Sequence, residues 1–207
     1  MQSDIEHSIN YWTSLYKERE RDCVFRVYNI TKDFINNVDD ITLKTIQDAY
    51  FVFEFGCGTG EALGLFSLLN LNANFVGVDI SKSAIQIAKR RHKDNKRLVF
   101  YERNVIGQKP DTKYDLVFCS NTLEHFKDPF YVVEDLFKHG DKLLILVPYN
   151  EQDLRDGYDQ EGGAGHVYSF TENSFKDYNV LSWFTFFTHE WLIGPEPLQM
   201  SVLIEKK

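Results

Sequence analysis

The sequence predicts an open, mostly parallel α/β sheet, and three observations carry that expectation. Short apolar runs bounded by turn residues recur along the middle of the chain. Amphipathic stretches of helical period alternate with them. One of the runs ends directly in closely spaced glycines. Runs of four to eight apolar residues without strict alternation suit strands covered on both faces, which is the situation inside a parallel sheet.

The predicted strands are Phe51 to Phe55, Asn74 to Val78, Leu98 to Tyr101, Tyr114 to Cys119 and Leu143 to Val147. Between them the predicted helices are Glu61 to Asn70, Ser81 to His92 with Ser81 as N-cap, and Pro129 to His139 with proline in the first turn. Near the start, Ile5, Ile9, Trp12 and Tyr16 recur at helical spacing, so a helix precedes the sheet. Beyond Pro148 the pattern changes to a long loop, "YNEQDLRDGYDQEGGAGHVYSF". A short helix near Thr171 to Asp177 is expected next, then two strands, Val180 to Phe187 and Leu198 to Glu205, which read as a closing antiparallel pair. No repeat or linker interrupts the chain, so it reads as a single domain: a helical cap over 1–48, a core over 49–148, and a loop with closing strands over 149–207.

Composition narrows the function. The formal net charge is -8, and the one basic cluster is "KRRH" at Lys89 to His92, so a nucleic-acid backbone is disfavoured as a partner. Cys23, Cys57 and Cys119 form no CxxC pair, which indicates neither a zinc site nor a disulfide framework and suits a reducing compartment. No apolar run approaches the roughly 18 residues of a membrane span, and the start lacks the layout of a signal peptide. A cytoplasmic location is the expectation.

The glycines ask for a ligand. In "FVFEFGCGTG" a strand runs into Gly56, Gly58 and Gly60 and opens a helix, a turn that lets backbone N–H groups approach a bound molecule. The dinucleotide fingerprint would require glycine at position 61, where this chain has Glu61, and no Gly-Lys-Ser/Thr follows to make a P-loop. What remains is acidic-x-Gly-x-Gly-x-Gly, from Glu54 to Gly60.

That pattern resembles the first motif of class I S-adenosylmethionine-dependent methyltransferases. "FVGVDIS" at Phe75 to Ser81 looks like the second motif, "YDLVFCSNTLEHF" at Tyr114 to Phe126 like the fourth-strand motif with its Leu-Glu-His, and "KLLILVP" at Lys142 to Pro148 like the fifth. The resemblance implies a Rossmann-like, doubly wound, seven-stranded sheet. Its last strand is antiparallel and inserted beside the fifth, helices cover both faces, and S-adenosylmethionine lies across the strand ends.

The resemblance implies a cofactor set of Glu54, Gly56, Cys57, Gly58, Gly60, Asp79, Ile80, Asn104 and Ser120. Asp79 would accept the ribose hydroxyls, and Asn104 would accept the adenine amino group or simply hold its turn. His125 is the preferred general base, with His166 in "GGAGH" as the second candidate; each has an unperturbed pKa near 6.5. Tyr11, Trp12 and Tyr16 are candidates for a lid. The loop residues Tyr149, Tyr158 and Glu161 are expected to hang over the site. Related quinone-pathway enzymes carry an acid where this chain has Asn121, so no metal is expected. The acceptor implied is a small polar molecule, a hydroxyl of a sugar or surface-glycan precursor, including a phosphorus-containing capsule modifier. N-methylation of a small amine and a non-catalytic cofactor-binding subunit are the alternatives.

Overall fold

The computed structural model describes residues 2–152, 154, 165–189 and 198–207. Three helices come first: α1 (Gln2–Glu18), α2 (Glu20–Asn37) and α3 (Asp40–Asp48). The sheet and its crossovers follow as β1 (Phe51–Phe55), α4 (Glu61–Leu69), β2 (Asn74–Asp79), α5 (Lys82–Arg91), β3 (Leu98–Glu102) and β4 (Leu116–Ser120). A single 3-10 turn (Leu123–His125), α6 (Pro129–Leu136), β5 (Lys142–Pro148), β6 (Asn179–Phe187) and β7 (Leu198–Glu205) complete the chain.

The seven strands form one sheet in the order β3-β2-β1-β4-β5-β7-β6. β1 pairs in parallel with both β2 and β4, and the chain doubles back between them, so their carboxyl ends frame a crevice at a topological switch point. β7 runs antiparallel between β5 and β6. The expected doubly wound, seven-stranded sheet is therefore present, with its inserted antiparallel strand in the predicted place.

Alternation along β1 explains the two cores. Val52 joins a cluster with Phe34 of α2, Ile46 of α3, Phe66 of α4 and Ile85 of α5. Phe53 and Phe55 face the other way, onto Val132 and Leu136 of α6 and onto Phe170 and Phe175. Helices thus cover both faces. By the same parity Glu54 shares the face of Val52, and Asp79 shares that of Phe75, so both acids point to the α2–α5 side at the ends of neighbouring strands.

Local signals set the helix starts. Asp39, Ser81 and Asp128 each accept a backbone N–H three residues on, from Thr42, Ala84 and Tyr131. Two expectations are corrected. The segment near Thr171 to Asp177 forms consecutive turns rather than a helix, closed by a Ser174 to Thr171 contact and by side-chain packing of Phe175. The helix from Pro129 ends at Leu136, where the amide of the Phe137 cap turns back onto the carbonyls of Val133 and Asp135.

Candidate active site

The glycine turn is built to hold an acid in place. Gly56, Gly58 and Gly60 all have positive φ, at 73°, 50° and 77°. Four of its N–H groups are used within the protein. Gly56 and Cys57 donate to the Val78 carbonyl at 2.9 and 3.0 Å, Gly58 donates to Asp79 Oδ2 at 2.9 Å, and Gly60 donates to the Cys57 carbonyl at 2.9 Å. The space a Cβ would need at each glycine is filled by side chains of the same chain: Thr122 at Gly56, the Tyr16 hydroxyl at Gly58 and Phe100 at Gly60. The expected row of free amides facing a ligand is therefore not what the turn presents. The Cys57 side chain points inward against Gly77. Such a turn is not an anion cradle, which agrees with the missing pyrophosphate fingerprint.

What the turn presents is acidic. Asp79 is buried; Oδ2 takes the Gly58 amide and Oδ1 takes the Ser81 amide at 2.8 Å. Burial raises its pKa, while the amides of Ser81, Gly58 and Ile80 pull it back. Glu54 is 1% exposed, and its Oε2 has no hydrogen-bond partner. Burial first, and the Asp79 charge second, push its carboxyl well above the usual range. Tyr16 of α1 closes the side of this pocket, its phenol pushed up by burial and by Asp79.

A second cluster lies at the ends of β4 and β5. The chain leaves β4 through Ser120 and Asn121, which adopts φ 45°, a left-handed conformation that asparagine tolerates. Asn121 donates its amide to Leu146 of β5 at 2.8 Å, and Thr122 Oγ1 donates back to the Ser120 carbonyl. This bend delivers Glu124 and His125. The Glu124 carbonyl accepts from the amides of Val167 and Tyr168, which draws the segment carrying His166 over the site.

The two histidines meet there, ring centroids 5.0 Å apart and edge to face. His125 Nδ1 lies 3.1 Å from the Gly165 carbonyl, an acceptor only, so this nitrogen carries the hydrogen and Nε2 holds the lone pair. Burial, then the charge of His166, push its pKa down to about 3. His166 differs. Its Nδ1 is 2.6 Å from Glu151 Oε2. Burial pulls its pKa down, but the bond to Glu151 and the charges of Glu124 and Glu151 outweigh that, leaving it raised. Trp12 of α1 packs edge-on against His125 at 5.0 Å, and Tyr11 packs on Trp12.

The structure thus brings Glu54, Asp79 and the glycines together at one point, and Ser120, His125 and His166 at the next. Asn104 is committed to its own turn through Oδ1, which accepts from Ile106 N at 3.0 Å. Tyr149 points to Glu172 instead, through a 2.8 Å hydrogen bond. Tyr158, Glu161 and the Ile5 side chain lie outside the described residues. Sequence reasoning missed Glu151; an acid fifteen residues before a loop histidine leaves no spacing signal. Although Asn121 offers no acid, Glu124, His125 and His166 each offer a ligand atom within 4.8 Å of the others.

Residues 53–140, which span the glycine turn, Asp79 and His125, match the family model for a methyltransferase domain. That match spans about two fifths of the chain and, with the seven-stranded sheet around it, is consistent with a class I methyltransferase. Among curated relatives, the malonyl-[acyl-carrier protein] O-methyltransferase of Bacillus anthracis is 26% identical over 51% of this chain and 39% of its own length. The ubiquinone biosynthesis O-methyltransferase of Pelagibacter ubique is 28% identical over 86% of this chain and 67% of that protein. This chain therefore matches well under half of the first relative and about two thirds of the second. The magnesium protoporphyrin IX methyltransferase of Synechocystis PCC 6803, solved with bound cofactor product, has the same fold at 13% identity, with TM-score 0.66 over 97% of this chain and 94% of that one. DhpI, in complex with the same product, is 18% identical with TM-score 0.63 over 98% and 97%.

S-adenosylmethionine, the cofactor of this family, fits the residues present. It carries ribose hydroxyls and two cationic groups, and the crevice offers Asp79 as an acceptor and a buried Glu54 oxygen without a partner. No other described group of the acid pocket competes as a cation.

Proposed function

We propose that the protein transfers a methyl group from S-adenosylmethionine to an oxygen of a small polar acceptor, with His166 as the base. The observation that carries this reading is the 2.6 Å pairing of His166 with Glu151 beside His125, at the ends of β4 and β5. A carboxylate on Nδ1 fixes the tautomer, aims Nε2 at the site and stabilises the imidazolium that forms. His125, preferred in the sequence reading, is the poorer base: a buried imidazole pushed down to about 3 holds a proton weakly. Its Nε2 lone pair is suited to accept a hydrogen bond and orient the acceptor.

When bound, the cofactor supplies a sulfonium-activated methyl group. Asp79 and Glu54 would hold it; Trp12, and Val167 and Tyr168 drawn onto the Glu124 carbonyl, cover the acceptor side. Placement supplies most of the rate, worth roughly 7–11 kcal/mol for a well-oriented pair. Both curated relatives described above are O-methyltransferases by name, which supports oxygen over nitrogen. The sugar or surface-glycan acceptor is supported by the stretch "GHVYSFT" at 165–171, which resembles that of methyltransferases acting on such molecules.

The test is a mass-shift screen. Candidate hydroxyl, carboxyl and amine acceptors are incubated with the cofactor, and a methylated product is sought together with demethylated cofactor. A methylated amine with no methylated oxygen would overturn the acceptor assignment, and no cofactor binding would overturn the whole reading.

A further inference from the structure

Glu54 stands at the carboxyl end of β1, paired across the sheet with Gly77 of β2 and Phe118 of β4. Neither neighbour offers it a side-chain donor. It is 1% exposed, and its buried Oε2 has no hydrogen-bond partner. The groups linked to it are acidic or neutral: Asp79 from β2, Cys57 from the glycine turn and Cys119 from β4, with Tyr16 from α1 and Glu124 from the 3-10 turn beyond them. Arg26 acts on Tyr16 and the two histidines, whereas burial and Asp79 are what act on Glu54.

An ionised carboxylate taken out of water, with one oxygen left without a donor and a like charge beside it, is among the most costly states a protein can hold. In practice such a group keeps a proton. The pocket that contains it is also where the cationic end of the cofactor is received, on the reading proposed above, on which this inference rests. An ammonium arriving there reverses the balance, because it gives Glu54 the opposite charge that the protein leaves out.

We propose that Glu54 is protonated in the cofactor-free protein and loses its proton when the cofactor binds, so that each binding event expels about one proton to the solvent. The carboxylate formed pairs with the incoming cation. The O–H bond of the acid breaks, its electron pair stays on the carboxylate, and the proton leaves to buffer. Binding then tightens as pH rises, by up to tenfold per unit, until the pH reaches the value at which Glu54 ionises in the free protein. Methyl transfer removes the sulfonium charge but leaves the ammonium, so the demethylated product should expel the proton as well.

Titration calorimetry at pH 7 in buffers of small and large ionisation enthalpy measures the proton count directly. The full chain should release close to one proton with either S-adenosylmethionine or its demethylated product. Glu54→Gln is isosteric with the protonated acid; it should keep its melting temperature, release almost none, and bind at least tenfold more weakly. Asp79→Asn is the companion variant, since Asp79 is the other buried acid in the pocket, and it should weaken binding while the release persists. A second measurement needs no ligand: the carboxyl carbon of Glu54 in 13C-glutamate-labelled protein should show the protonated shift at pH 7. Binding without proton release, release unchanged in Glu54→Gln, or an ionised Glu54 in the free protein would each overturn the inference. A protonated Glu54 with no cofactor binding at all would overturn the cofactor reading instead.

Discussion

The Gly58 amide donates to Asp79 Oδ2 at 2.9 Å, and Asp79 Oδ1 takes the Ser81 amide at 2.8 Å, so one carboxylate ties the first strand-to-helix turn to the second. Removing it strands two buried donors at once. Asp79→Ala should lower stability by about 1–3 kcal/mol, the cost of orphaned buried groups, and weaken cofactor binding by more than tenfold. Thermal unfolding and calorimetry read the two effects separately. Unchanged affinity in a folded variant would remove Asp79 from the cofactor site.

A methyl group at Gly58 meets the Tyr16 hydroxyl at 2.6 Å but the ring carbon behind it only at 3.4 Å. Gly58→Ala therefore suffers both from its φ of 50° and from that one oxygen. Tyr16→Phe deletes the oxygen, so the double variant should recover part of the stability lost by Gly58→Ala, a coupling of about 0.5–3 kcal/mol in a double-mutant cycle. Strict additivity would show that α1 does not seat on the glycine turn.

The sheet was legible because its signals are local. Phe51 to Phe55 is an uninterrupted apolar-acidic run that ends in glycine, and Ser81 is itself a favoured N-cap residue placed between a strand and a helical pattern. The stretch 171–177 forms turns rather than the expected short helix: it holds one apolar residue, Phe175, and tertiary packing of that ring against Phe130 and Phe170 decides its conformation. The acids and histidines of the site were nameable from strand ends, but not their roles. That the glycine amides face inward depends on Val78, and that His166 pairs with Glu151 depends on a loop closing over β4, neither of which a linear pattern records.

Trp12 packs its edge on His125 and helps to keep that imidazole dry. A histidine whose folded pKa is depressed binds fewer protons than the unfolded chain, so its contribution to stability is present above about pH 6.5 and is lost as pH falls towards 3. The slope is at most about 1.4 kcal/mol per pH unit. Trp12→Ala should admit water, raise the His125 pKa towards its ordinary value and flatten that acid slope, whereas Trp12→Phe should keep it. NMR titration of the imidazole and melts between pH 4 and 7 test both. An unmoved titration would place the desolvation elsewhere.

Glu124, His125 and His166 lie close enough to share a cation, yet the base reading asks for none. Exhaustive chelation should leave turnover within twofold of its starting value once an acceptor is known. Loss of activity that magnesium or manganese restores would assign these residues to a metal and retire His166 as a free base.

The base itself is decided by the shape of the acid limb. His166 takes a proton only when neutral, and Glu151 holds its pKa above the ordinary value against the pull of burial, so activity should fall as pH drops through a point above about 6.5. Glu151→Gln removes the charge and weakens the bond to Nδ1; burial then dominates, and the limb should move to lower pH while the plateau falls. His166→Ala should lose roughly 10²–10⁴ in kcat with cofactor affinity intact, and the limb should vanish with it. His125→Ala should instead raise KM and leave the limb where it is, because an imidazole already neutral across pH 5 to 9 has no titration to contribute. If the limb disappears in His125→Ala and survives in His166→Ala, the roles are reversed, and the Glu151 pairing merely shapes the loop.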